Sequence, residues 1–393
     1  MSKSVPAKIQ PSLLVWARET AGYSLEDAAS KLHVSVDRLH AAESGTAMLT
    51  FHQLQLVAGV FKRPLALFFL SAPPPREAST HDFRLDREVA HHPPAPSVNI
   101  ELRRARQRRD EALTLAREIE AVVPTFEAQA SLHEDTESVA ARVTQLLQVT
   151  DEQSRIWKTP EIAFKARKSA VESQGVLVFE ASRVPTEQMR GAAIFFDQLP
   201  VIILNGADAP AGRSFTLMHE LTHLLLRQGG ICDLAPSEDI TPDARIERFC
   251  NAVAAAVLMP ANKILAMLGD RGARDWTLDE LGLLAKPFCV SREAMLVRLI
   301  TLGHASQRQY IALRSQFREE YQLFKLSQRQ DGGGGPSPAV MAVKNLGRPF
   351  VRLVLDAYEN DRIDLSTVSD YLGVKIRHLP RIRELAAGSM AEA

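Results

Sequence analysis

The run MHELTHLLL, residues 218–226, sets His219 and His223 four residues apart, with Glu220 directly after the first. On an α-helix, positions i and i+4 share a face, so two imidazoles can offer nitrogens to one ion. Glu220 projects beside them, where a carboxylate can take a proton from a metal-activated water. That is the mechanical content of an HExxH helix. A hydrolytic zinc site wants three protein ligands and an open position for water. The next histidine downstream is His304, so neutral third ligands are scarce. Glu247 is better placed, in ARIERFCNAVAAAVLMP (244–260), a predicted helix rich in small apolar residues where an unpaired carboxylate is costly. Glu238, Asp239 and Asp243 in the intervening loop are the alternatives. Two neutral imidazoles and one carboxylate leave Zn2+ with a net charge of about +1, which suits water activation.

Such a helix needs a scaffold, and the preceding segments supply one. GVLVFEAS (175–182), GAAIFFD (191–197) and PVIILN (200–205) are short, apolar and β-branched, and read as strands of a small sheet. Gln198, Leu199 and Pro200 turn the second into the third. The rest reads as helix: short helices over 11–70, a long charged helix from residue 101, a helical stretch over roughly 134–174, and more to about 326. The arginines of the long helix read as a solvated, ion-paired face rather than a phosphate-binding one. DGGGGPSP (331–338) reads as a flexible linker. Beyond it lies a small helical tail, in which DLSTVSDYLGVKIRHLPRI has its own helix, glycine turn and helix. The fold class is mainly α with a small β-sheet, preceded by an all-α N-terminal domain and followed by the helical tail.

Composition limits the partners. The 393 residues carry 47 Lys and Arg against 47 Asp and Glu, so no global field draws the chain to nucleic acid or anionic membrane. Cys232, Cys250 and Cys289 form no CxxC pair, which speaks against a disulfide framework or a thiolate zinc site and for a reducing compartment. The start MSKSVPAKIQ lacks the apolar core of a signal peptide, and no run reaches membrane-spanning length. The expectation is a cytoplasmic protein with no membrane partner.

Three separated motifs now stand in order: RGAAIFFDQLPVIILNGADAPAGRSFTLMHELTHLLL, IERFCNAVAAAVLMP and VSREAMLVRLITLG. Together they resemble the ImmA/IrrE family of zinc metallopeptidases. AGYSLEDAASKLHVSVDRLHAAESG, followed by PLALFFLSAPPP and HDFR, resembles the subgroup that fuses an XRE-type helix-turn-helix ahead of the peptidase. The resemblance covers most of the chain to about residue 326. It implies a zincin-like α+β peptidase domain, zinc on His219, His223 and Glu247, and Glu220 as general base. Cys250 departs from the family's usual alanine, placing an oxidisable thiol near the metal. The implied organisation is a helix-turn-helix domain over 1–72, a linker and charged helix over 73–133, and the peptidase over 134–326. A Gly-rich linker over 327–342 and a helical domain over 343–393 follow.

The front module carries the helix-turn-helix pattern more strongly than a base-reading surface. Reading bases takes Arg, Lys, Asn or Gln near the start of the second helix. Here Val36, Asp37 and Ala41 stand at such positions, and Ser35, Val36, Arg38 and His40 are the candidate DNA contacts, with a protein-docking module that recruits a partner repressor as the rival reading. Arg298 is a candidate cation of the peptidase cleft, with a structural ion pair as the stronger alternative. The resulting expectation is a zinc endopeptidase of narrow specificity. It cleaves a regulatory protein such as a transcriptional repressor, with double-stranded DNA and a second copy of the chain as further partners. The alternative is a DNA-binding regulator whose peptidase-like domain is a sensor or inactive. A third, an antitoxin-like partner protein, rests on fold analogy alone.

Overall fold

In the computed structural model, residues 5–74, 95–227, 230–232, 242–330 and 335–387 are described. They fall into two compact units, Met1–Arg104 and Ala105–Ala393.

The first unit packs α1 (Pro11–Ala21), α2 (Leu25–Leu32), α3 (Val36–Glu43) and α4 (Phe51–Phe61) around Leu13, Leu14, Ala29, Leu39, Leu54 and Phe61. Local chemistry sets the breaks. Ser24 and Ser35 cap α2 and α3 by accepting the N–H of Asp27 and Arg38. His33 takes a left-handed conformation (φ 56°) and turns the chain between them. Thr50 and Gln53 form a capping box at the start of α4. Glu43 closes the module by pairing bidentately with Arg18 on α1, at 2.8 and 3.0 Å. The long helix α5 (Pro96–Glu118) begins in this unit. Several of its arginines are held internally: Arg103 donates to the carbonyls of Phe61 and Lys62.

The second unit continues with α6 (Thr136–Leu147), α7 (Asp151–Arg155) and α8 (Pro160–Glu172). The expected single stretch over 134–174 is thus broken, at left-handed Gln148 and at the Thr159–Pro160 cap. Strands β1 (Leu177–Ala181), β2 (Gly191–Ile194) and β3 (Val201–Asn205) follow, and β2 and β3 form a hairpin whose turn places Leu199 at φ 51°. The sheet order is β1-β3-β2-β4, parallel only between β1 and β3, with β4 (Gly230–Cys232) adding an edge that the sequence did not suggest. Strands β1 to β3 are buried throughout, so both faces are covered and the runs are continuously apolar. Helix α9 (Pro210–Leu225) lies against β2 and β3, and α10 (Pro242–Leu258) packs on α9 and α6. The chain continues through α11 (Ala261–Leu268), α12 (Leu278–Ala285), α13 (Arg292–Thr301) and α14 (Gln307–Gln330). Among the described residues no single helix is long and apolar enough to cross a membrane.

The tail holds α15 (Pro338–Leu346), α16 (Arg348–Glu359), α17 (Leu365–Leu372) and α18 (Leu379–Ala387). Residues 331–334 of the expected linker lie outside those described. Helix α15 packs on β1, and Phe350 of α16 meets Phe179 of β1 edge to face, with ring centroids 6.0 Å apart. Beside this contact Glu180 of β1 accepts from Lys168 and Arg213, each at 2.9 Å, and Lys168 also donates to the carbonyl of Lys344.

Glu172, at the end of α8, is buried at this joint and accepts the backbone N–H of Arg348. Burial is the main cause that pushes its pKa up, to about 7, with Glu180 assisting and Lys168 and Arg348 opposing. An acid whose folded pKa lies above its unfolded value binds more protons when folded. Stability therefore falls as pH rises from about 4.5 to about 7, by about 3 kcal/mol. Urea midpoints at pH 5 and pH 8 should show this loss in the wild type and little of it in Glu172→Gln; equal slopes in both would remove Glu172 as its source.

Candidate metal centre

Helix α9 starts with Pro210 at its first turn and ends at Leu225, and it is almost wholly buried from Arg213 onward. The carboxylate of Asp208 lies just before it, accepting from the Ala209 N–H at 2.8 Å and the Tyr321 hydroxyl at 2.7 Å. Arg213, two turns before the motif, is locked to Glu180 and Glu161. These contacts fix where the last two turns of α9 come to lie.

His219, Glu220 and His223 are fully buried there, at 0% exposure. Helix α10 crosses α9 and brings Glu247 to the same point. The Nε2 atoms of His219 and His223 stand 3.1 Å apart, and the Glu247 carboxylate oxygens lie 3.2 and 3.3 Å from them. Ligands at 2.0–2.1 Å from a tetrahedral zinc ion would be separated by roughly 3.3 Å, so this trio has the spacing such an ion needs. Charge agrees. Burial lowers the His223 pKa, with His219 adding to this and Glu247 opposing, so its imidazole is held toward neutral. Burial pushes Glu247 up, but the hydrogen bonds from both histidines outweigh this and hold its carboxyl well below the usual carboxylate range. Two buried imidazoles and a carboxylate form a donor set that a divalent cation satisfies.

Two further residues shape the site. Asn251, one turn after Glu247 on α10, has its Oδ1 3.0 Å from His219 Nδ1. With Asn251 Oδ1 accepting a hydrogen bond from Nδ1–H, the lone pair of His219 would lie on Nε2, toward the trio. Its four-residue offset from Glu247 was the available signal. Gly191, at the start of β2, was not singled out at all. A Cβ there would fall 2.6 Å from Glu220 Oε1 and 2.4 Å from Thr216 Cγ2, so only glycine leaves the carboxylate its place. Gly191→Ala should displace Glu220 and lower peptide turnover roughly 100-fold with metal content retained. Wild-type turnover in that variant would show that the strand gives way instead.

The other expected residues lie elsewhere. Arg298 is buried at 2% exposure, donating to the Met259 carbonyl and pairing with Glu137. It clamps α13 to the end of α10 and to α6, the arrangement of a structural ion pair rather than of a cleft cation. Glu238 and Asp239 lie outside the described residues, and Asp243 falls in the first turn of α10. Cys250 is fully buried beside Glu247, and burial raises its pKa well above the usual thiol value, so it stays protonated. In the front unit, Ser35, Val36, Arg38 and His40 are exposed at the start of α3. Ser35 is engaged as the cap, and Arg38 donates to the Met48 carbonyl at 3.1 Å.

Residues 171–300 match the M78 peptidase family model, described as the IrrE N-terminal-like domain, and residues 14–68 match a helix-turn-helix model. No curated protein matches the chain.

Proposed function

We propose that this chain, an IrrE-like M78 peptidase domain behind a helix-turn-helix domain, is a zinc-dependent endopeptidase that cleaves a regulatory protein. The observation that carries this reading is the buried convergence of His219, His223 and Glu247 with Glu220 beside them. His219, His223 and Glu247 would hold the ion. Bound there, Zn2+ supplies Lewis acidity toward the scissile carbonyl and lowers the pKa of water. Glu220 takes a proton from the attacking water and returns it to the leaving amine. Gly191 gives it room, and Asn251 orients His219. Glu247 is the one ligand with an exposed side chain, at 21%, so a peptide approaches from its side. The enclosure of Glu220 and both histidines favours a narrow choice of substrate, since few chains can enter.

A helix-turn-helix domain on the same chain points to a substrate in transcription control, most simply a repressor. Double-stranded DNA is the partner proposed for that domain, with a homodimer to match two-fold operators. The test compares protein N-termini in cells producing the wild type and Glu220→Gln. A new N-terminus inside a DNA-binding regulator, present only with the wild type, supports the reading. Identical sets of termini favour the alternative, a regulator whose peptidase-like domain senses rather than cuts.

A further inference from the structure

The tail repeats the front module's fold. With an offset of 340 residues, the features of α17 and the chain after it correspond position by position to those of α2 and α3. Ser24 and Asp364 are the caps, each accepting the N–H three residues on. Both first helices have eight residues. Both turns use a left-handed residue, His33 at φ 56° and Gly373 at φ 63°. The same hydrogen bond closes each turn: Val34 N–H to Ala29 O at 3.0 Å, and Val374 N–H to Ser369 O at 3.1 Å. The buried positions coincide as well, with Ala28, Leu32, Leu39 and Ala42 matched by Val368, Leu372, Leu379 and Ile382. The second helix differs in its first turn, which is 3-10 over Ile376–His378, and in running on to Ala387. Pro380 has no N–H to give to Ile376, so the α-helical bond is missing there.

The surface chemistry of the two units is opposite. From His33 to Glu43 the front unit carries Arg38 against Asp37 and Glu43. From Gly373 to Arg383 the tail carries Lys375, Arg377, Arg381 and Arg383 and no carboxylate. All four cations are exposed. At the start of the second helix, Asp37 is replaced by Arg377 and Ala41 by Arg381, on the same face one turn apart. Val36 becomes Ile376, 49% exposed. The tail's existing contacts are weak ones. Arg381 pairs with Glu384 on an open surface, Arg377 Nε meets His378 Nε2 at 3.3 Å, and Arg383 leans on Tyr358 and Glu359 of α16. Among the described residues Lys375 has no acidic side chain within ion-pair distance. The carboxylates of α17 are Asp364, spent on the cap, and Asp370 at its end.

A helix-turn-helix binds duplex DNA by placing the start of its second helix in the major groove. Arginine there reads guanine edges, an apolar side chain meets thymine methyls, and flanking cations neutralise phosphates. We infer that α17, its turn and α18 form a second helix-turn-helix that binds double-stranded DNA through Lys375, Arg377 and Arg381. This segment is joined to the peptidase sheet through the α15–α16 contacts with β1, so its DNA would be held on the same compact unit as the metal centre.

The test is fluorescence anisotropy of the full chain with a 30-base-pair duplex, across 50–200 mM salt. The comparison is with Lys375→Ala/Arg377→Ala/Arg381→Ala and, separately, Arg38→Ala/His40→Ala. Circular dichroism checks that each variant is folded. If all three cations neutralise phosphates, they contribute at most about −2.7 to the slope of log K against log salt, or roughly 40-fold across this range. The tail variant should lose that share of the slope and bind at least about tenfold more weakly at 100 mM, with a smaller effect from the front variant. Wild-type affinity and slope in the tail variant, or no duplex binding by the wild type at 50 mM salt, would overturn the inference. So would tighter, tail-dependent binding to an RNA of equal length, which would assign the surface to RNA.

Discussion

Glu220→Gln should keep the metal and lose peptide cleavage. Glutamine has the shape of glutamate, and the pocket around residue 220 is closed by Gly191 and Thr216, so the isosteric amide fits where a larger side chain would not. The amide cannot take a proton from water. Loss of a positioned general base costs typically 10^2–10^4-fold in rate, and that is the expected fall in turnover. The three ligands are untouched, so elemental analysis should find the same zinc content in both proteins. Retained cleavage with retained zinc would show that the proton goes to another group and would remove Glu220 from the mechanism.

Glu247→Ala should instead lose the metal. It removes the only anionic ligand of the trio and leaves two imidazoles facing each other at 3.1 Å in a buried site. Two nitrogens alone hold a divalent ion far less tightly than the full set, because the carboxylate supplies the charge that offsets desolvation of the cation. About one zinc per chain is expected in the wild type and little in the variant, with thermal stabilisation by added zinc lost in parallel. Equal zinc contents would place the third ligand elsewhere, with Asp243 and the unplaced Glu238 and Asp239 as the carboxylates to test next. Together the two variants separate chemistry from binding: one loses rate at constant metal, the other loses both.

Much of the local structure was legible because it depends on neighbours within one turn. Ser24 and Ser35 announced the starts of α2 and α3, and the β-branched runs announced β1, β2 and β3. Pro260 announced the end of α10 after Leu258. The strand β4 was not legible: three residues carry no period, and their pairing comes entirely from β2. Arg298 was ambiguous for a related reason. A lone arginine on an apolar helix has the same pattern whether it lines a cleft or clamps a carbonyl, and only the arrival of Met259 and Glu137 distinguishes the two.

The sequence by itself determined that His219 and His223 share a face with Glu220 beside them, because the pitch of an α-helix leaves no other arrangement. It also determined the repeated pattern of helix, left-handed turn and helix in the tail, since caps and turns are read from adjacent residues. Only the tertiary structure decided that Glu247 and Asn251 cross from α10 to meet those histidines. It alone set Gly191 beneath Glu220 and laid the tail on β1. Those outcomes depend on how whole faces pack to exclude water from the core, and no spacing along the chain records which face will meet which.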